Sequence, residues 1–210
     1  MIYIVRHGQT AGNKANVLQG RGSNAPLNEK GIEQAGKVRD WFKEQGIRID
    51  RVYTSPLIRA VQTAQIIAGE AERITDEHLL EMDYGPYEGM DLSNPAPEVT
   101  AFFADFVNHP APEGMEPLAQ VVRRLGEFLE GIREEAGQGK GNILLSTHAI
   151  AMKGALEYLT PGADGRFWGT YIRNCALYEF EAAESGYTVP REVDLCSRTP
   201  RRSCRDAHGA

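Results

Sequence analysis

The chain has 210 residues, 41% apolar and 25% charged, with a mean hydropathy of −0.40 and a formal net charge of −6, which suits one soluble domain able to bury a core without disulfides or metal. That acidic balance excludes nucleic acid as the main partner, because a phosphate backbone is held by a basic footprint. No run approaches the roughly 20 apolar residues of a membrane-spanning helix, and Cys175, Cys196 and Cys204 show no CxxC or zinc spacing, so reduced thiols in a cytoplasm are expected.

Met1 to Val5 is β-branched and aromatic and reads as a strand covered on both faces. It is too short and too soon followed by charge for a secretory segment. At its carboxyl end stand Arg6, His7 and Gly8, where open α/β sheets bind ligands, and a glycine there is expected to let the loop fold its amides around an anion. Asn13 to Asn24 reads as an ordered loop or a short helical turn. Asn28 caps a helix whose inner stripe is Ile32, Ala35, Val38, Trp41 and Phe42, stopped by Gly46. Ile49 to Thr54 is a strand, and Ser55-Pro56 opens a helix with Leu57, Ala60, Val61, Ala64, Ile67 and Ala68 inward. Arg59 lies in its first turn, off that stripe.

A weak strand at Arg73 to Thr75 leads into the loop Asp76 to Asn94, long enough to suggest function. Helices are expected at Pro95 to Asn108 and Pro117 to Ala136, then a buried strand Ile143 to Thr147, His148 at its end, and a helix Ala149 to Leu159. A last β pattern runs from Ile172 to Phe180, paired with Tyr187 to Val189. Strands alternating with helices predict a three-layer α/β/α domain with a mostly parallel sheet over 1–190, and 191–210 reads as a flexible tail.

Three strand-to-helix junctions thus carry Arg6-His7, Arg59 and His148, and parallel strands bring such ends to one edge. Two arginines with two imidazoles describe a phosphate site: the guanidinium fork matches phosphate oxygens, and a neutral imidazole can attack phosphorus. A poor alcohol leaving group also needs an acid, for which Glu81, Asp83 and Glu88 are all available.

These motifs resemble the histidine phosphatase superfamily, also called phosphoglycerate mutase-like, in several places and in order. Arg6-His7-Gly8-Gln9-Thr10 with Asn13 resembles its signature loop, and Gln19-Gly20, Pro26-Leu27, Gly31 and Gln34-Ala35 its second motif. Ser55-Pro56-Leu57 with Arg59-Ala60 and Gln62-Thr63-Ala64 resembles the third. Leu79, Glu81, Gly85, Glu88 and Gly89 follow the spacing around its acid, and Ser146-Thr147-His148 its second histidine. The resemblance implies that His7 becomes phosphohistidine, that Arg6, Arg59, His148 and Asn13 hold the phosphoryl group, and that Glu81 is the acid. Gly20, Arg21, Tyr84 and Tyr87 are expected on the substrate side. An extra residue before Pro26, Asn28 for threonine, Ala149 for glycine and Pro117 for serine depart from the usual pattern without removing a catalytic group.

The expected activity is phosphatase action on a small phosphorylated metabolite, with no cofactor, metal, nucleic acid or membrane. Phosphoglycerate mutase is the alternative, although the longer insert that glycolytic mutases carry after the acid is missing. A non-catalytic phospho-ligand module keeping the same pocket is a further reading. A metal hydrolase built on His7 and His148 lacks a ligand motif such as HExxH. The sequence sets no oligomeric state.

Overall fold

A computed structural model describes residues 1–138, 141–183 and 186–196. Six of its strands form one sheet in the order β3-β2-β4-β1-β5-β8. β1 (Ile2–Arg6) pairs parallel with β4 (Ile143–Thr147), which pairs parallel with β2 (Arg51–Thr54), and β2 with β3 (Glu72–Thr75). β5 (Leu177–Phe180) runs antiparallel to β1, and β8 (Arg191–Glu192) antiparallel to β5.

Alternation along β1 divides the core. Tyr3 and Val5 pack with α2 (Glu29–Glu44) and α3 (Ile58–Ala68), whereas Ile2 and Ile4 pack with α4 (Pro97–Ala104), α5 (Leu118–Gly137) and α6 (Ala149–Leu159). Both faces of the strand are therefore covered, as its near-continuous apolar run implies, and the three-layer α/β/α fold is the one expected. A short α1 (Ala11–Lys14) follows the first loop, with Thr10 and Asn13 capping it reciprocally.

Several expectations need correction. Ile32 is exposed, because α2 meets the first loop through its backbone at Gly31: a Cβ there would lie 2.1 Å from Gln9 O. The inward position of that turn must be a glycine, and Ile32 is turned out. α3 starts at Ile58 rather than Pro56, with Leu57 as a cap that lends no side chain. α4 ends at Ala104, where the Asp105 carboxylate takes the N–H groups of Val107 and Asn108 instead. The last strand covers only Leu177–Phe180, because Cys175 adopts a left-handed φ of 58°. Tyr187 belongs to a small hairpin of β6 (Ala182–Ala183) and β7 (Gly186–Tyr187). Arg191 and Glu192, read as the start of a tail, extend the sheet, and Val193 is buried behind them; 197–210 lie outside the described residues. No helix among the described residues is long and apolar enough to cross a membrane.

Candidate active site

Because β1 and β4 are parallel and Arg6 stands opposite Thr147, the residues that follow them emerge side by side at one sheet edge. These are His7 and His148, whose ring centres are 5.1 Å apart. His7 is buried, and its Nδ1 lies 2.7 Å from Gly8 O. A carbonyl only accepts, so Nδ1 carries the proton. Burial, reinforced by Arg6 and Arg59, holds the ring well below its usual pKa of 6.5. The imidazole is therefore neutral, with its lone pair on Nε2.

His148 is the reverse. Its Nδ1 accepts from Arg59 Nε at 3.2 Å, which leaves the proton on Nε2, donated to Ser55 Oγ at 2.8 Å. It too is held well below 6.5, by burial first and then by Arg59 and His7.

Arg59 is fully buried. It leaves the stripe sideways, into the sheet edge: Nη2 donates to Gly20 O at 3.0 Å and Nη1 to Ser23 O. Arg6 donates from Nη1 to Ile172 O at 2.5 Å, and its buried Nε has no partner. Burial lowers the proton affinity of both guanidinium groups, with Glu81 the largest opposing influence. A cluster of buried cations with so little opposing charge is suited to an anion.

Glu81 is buried at the start of α6. Its Oε1 accepts the amides of Met82, Ile150 and Ala151 at 2.9 to 3.1 Å, whereas Oε2 has one 3.2 Å contact, from Ile150 N. The segment that carries it is pinned by Arg124, which donates to the carbonyls of His78 and Leu80 and forks onto Glu116 at 2.8 and 3.1 Å. The other candidate acids are engaged elsewhere. Asp83 Oδ1 accepts Gly85 N, and Glu88 accepts the N–H groups of Gly20 and Gly22 and the Ser23 hydroxyl.

His7, Arg6, Asn13, Glu81 and Tyr84 line one cavity of about 590 Å³. Its wall continues through a chain of ring contacts from Tyr84 to Phe103, Phe106 and Trp168. Lys153 is the buried cation in that wall.

The profile of the histidine phosphatase superfamily (branch 1) matches residues 2–194. This chain belongs to that superfamily. A Yersinia pestis protein named probable phosphoglycerate mutase GpmB is 33% identical over 190 residues, covering 88% of this chain and 86% of the relative. Among solved structures, the alpha-ribazole phosphatase of Shigella flexneri superposes with a TM-score of 0.77 at 22% identity, over 96% of this chain and 98% of that one. A phosphoserine phosphatase mutant from Entamoeba histolytica, in complex with phosphoserine, gives 0.76 at 23%, over 93% and 97%. These two likenesses speak to the fold, and the fold is that of phosphoglycerate mutase-like proteins.

Within this member of the histidine phosphatase superfamily the first loop departs from expectation. Its amides do not form an anion cradle, because side chains already hold them: Gly8 N donates to Thr63 Oγ1, Gln9 N to Gln34 Oε1 and Thr10 N to Asn13 Oδ1. Gly8 is needed for space rather than for unusual angles, since a Cβ there would sit 2.5 Å from Gly31 O. An anion in this cavity would therefore meet side chains rather than these amides.

The substrate-side expectations divide. Asn13 and buried Tyr84 line the cavity. Gly20 lies behind it, between Glu88 and Arg59. Arg21 is drawn to Glu116 at 3.2 Å and Asp83 at 3.8 Å, and the Tyr87 hydroxyl bonds Glu98, so neither lines the cavity. Four residues with site contacts escape the sequence reading. Ser55 reads as a helix cap, Thr63 as a spacer in its motif, and Asn174 gives no pattern although it donates to His7 O and Asn13 Oδ1. Lys153 does leave a signal, as the lysine interrupting an otherwise apolar half of α6. Among the described residues no group of three or more His, Cys, Asp or Glu is arranged to hold a metal ion.

Proposed function

We propose that this histidine phosphatase superfamily enzyme is a phosphomonoester phosphatase acting through phosphohistidine on a small phosphorylated metabolite. The observation that carries the proposal is His7: its proton is locked on Nδ1 by Gly8 O, and its Nε2 lone pair serves a cavity shared with Glu81. In the first step Nε2 attacks phosphorus, the bond from phosphorus to the alcohol oxygen breaks, and Glu81 delivers a proton to that oxygen through its less engaged Oε2. In the second, water attacks the phosphohistidine, gives its proton back to Glu81, and releases inorganic phosphate and free His7. Arg6 Nε and the remaining donors of Arg59 hold the equatorial oxygens. The His148 Nε2 proton turns from Ser55 to the same oxygens, where charge builds.

Hydrolysis is favoured over mutase action by the rest of the lining. A mutase must retain a bisphosphorylated sugar acid, carrying roughly five negative charges at neutral pH. Beyond Arg6 and Arg59, which are taken up by the transferred phosphoryl group, the cavity offers Lys153 and exposed Arg166 against an aromatic wall. That serves one further anionic group, not the second phosphate and the carboxylate together that such an intermediate carries while it turns over. Mutase action remains the second reading because of the 33% identical relative of that name.

The test is phosphate release from a panel of phosphomonoesters, with the His7→Ala protein and added EDTA alongside. Release that requires His7 and persists in EDTA is expected, together with radiolabel trapped on His7 at short times. Interconversion of 2- and 3-phosphoglycerate faster than phosphate release would overturn the phosphatase reading in favour of the mutase.

A further inference from the structure

Lys153 is unused by the chemistry above, and its surroundings are unusual for a lysine. It is only 8% exposed, yet it lines the cavity that contains His7 and Glu81. Its Nζ donates to Trp168 O at 2.6 Å and stands 4.7 Å over the Phe106 ring. An ammonium carries three donors, so these contacts do not exhaust it. Among the described residues no carboxylate lies within 4 Å of it. The lining acid Asp105 spends its oxygens on Val107 N, Asn108 N and the Asn108 side chain. Glu81 attracts Lys153 only from farther off, since its carboxylate is tied to the first turn of α6. Burial without a close acid pulls the lysine down to about 8, which leaves it mostly charged at neutral pH. A buried cation of this kind is stabilised when a counter-ion arrives.

Its place on α6 says where that counter-ion would sit. Lys153 follows Ile150 by three residues, so the two share a helix face, about 4.5 Å apart along the axis. Ile150 lines the cavity and donates its amide to Glu81. Lys153 thus leaves the helix about one turn beyond the residue whose amide holds the acid that serves the leaving oxygen, and Glu81 is near enough to attract it. One cavity contains both, so a short carbon chain can run between them.

We propose that Lys153 receives a second anionic group on the leaving alcohol, so that the preferred substrates are phosphomonoesters of acidic alcohols; this rests on the phosphatase reading. The second group is a carboxylate or another phosphate, both recognised by one ammonium as a point charge. Contacts to the aromatic wall accept the carbon skeleton between the two ends.

The experiment compares kcat/KM for phosphate release from 3-phosphoglycerate and glycerol 3-phosphate, which differ by a carboxylate against a hydroxymethyl group. Propanediol bisphosphate against its monophosphate distinguishes a second phosphate from a carboxylate as the preferred anion. Preference for at least one anionic member by about tenfold or more is expected of the wild type. Lys153→Met should bring that ratio to near one, and Lys153→Arg should retain most of it. Because Lys153 also ties down Trp168 O, a second measurement avoids substitution altogether: glycerate should inhibit hydrolysis of p-nitrophenyl phosphate at a concentration about tenfold lower than glycerol. Equal kcat/KM across both pairs in the wild type, an unchanged ratio in a folded Lys153→Met protein, or equal inhibition would each overturn the proposal. Absence of phosphate release from every ester would instead overturn the phosphatase reading on which it rests.

Discussion

Glu88, one of three acids the sequence leaves open as proton donor, holds the loop that orients Arg59. Its carboxylate accepts Gly20 N at 2.9 Å, Gly22 N at 3.2 Å and Ser23 Oγ at 2.9 Å. The carbonyls of Gly20 and Ser23, on the other side of the same loop, take two of the Arg59 donors. Glu88→Ala therefore removes three hydrogen bonds to an ion. In a half-buried setting water replaces part of each, so about 1 kcal/mol apiece is reasonable and about 3 kcal/mol in all. For a chain of this length that is a fall of roughly 6–12 °C in Tm. Released from its frame, Arg59 should bind phosphate less well, and kcat/KM should fall about 10- to 100-fold, mostly through KM. Glu88→Gln, which keeps one acceptor oxygen, should lose about half as much stability as Glu88→Ala. Scanning calorimetry with steady-state phosphate release on each variant measures both. A Glu88→Ala protein with wild-type melting and kcat/KM within twofold would refute the coupling. A large loss in kcat with unchanged melting would make Glu88 the acid after all.

Glu81→Gln should slow hydrolysis of alkyl phosphates by about 10²- to 10⁴-fold, yet slow p-nitrophenyl phosphate far less, because that leaving group departs without a proton; equal losses on both would argue against the assigned role. Acid should harm both activity and stability. His7 and His148 are held well below 6.5 in the fold, so the unfolded chain binds more protons between those lowered values and 6.5. Stability then rises with pH in that window, is complete above 6.5, and is lost as pH falls below it. The acid limb of kcat/KM should likewise lie below 6.5, and an acid limb above 6.5 would show that the imidazoles are not held neutral.

Most of the scaffold was legible because it rests on local signals. β1, β4 and α6 announce themselves by apolar runs with a polar residue at the end, and the parallel sheet then obliges His7 and His148 to meet. What escaped depends on distant partners. Arg59 is placed at the strand ends by its motif, but the partners that bury it, the carbonyls of Gly20 and Ser23 and the ring of His148, come from distant segments. Ile32 belongs to the apolar period, but the close approach at Gly31 overrides it. Gly8 suggests backbone freedom, whereas its constraint is a neighbouring backbone. Arg191–Glu192 carries no apolar period because an edge strand of two residues is held by its ladder and by ion pairs, Arg191 with Glu179 and Arg173 with Glu192. Arg21 and Tyr87 have the right chemistry for a substrate contact, and acids nearer to hand claim them.

The opposite protonation of the two histidines gives the resting enzyme a spectroscopic fingerprint. His7 is held in the Nδ1–H form by a backbone carbonyl, and His148 in the Nε2–H form by a guanidinium on one side and a hydroxyl on the other. In nitrogen-15 spectra the two rings should therefore show mirrored patterns of protonated and bare nitrogens, neither averaging between tautomers as a free imidazole does. Attachment of a phosphoryl group to His7 would alter only its bare nitrogen, and its departure would restore the pattern. Catalytic cycling is thus observable from within the protein, without a chromogenic substrate.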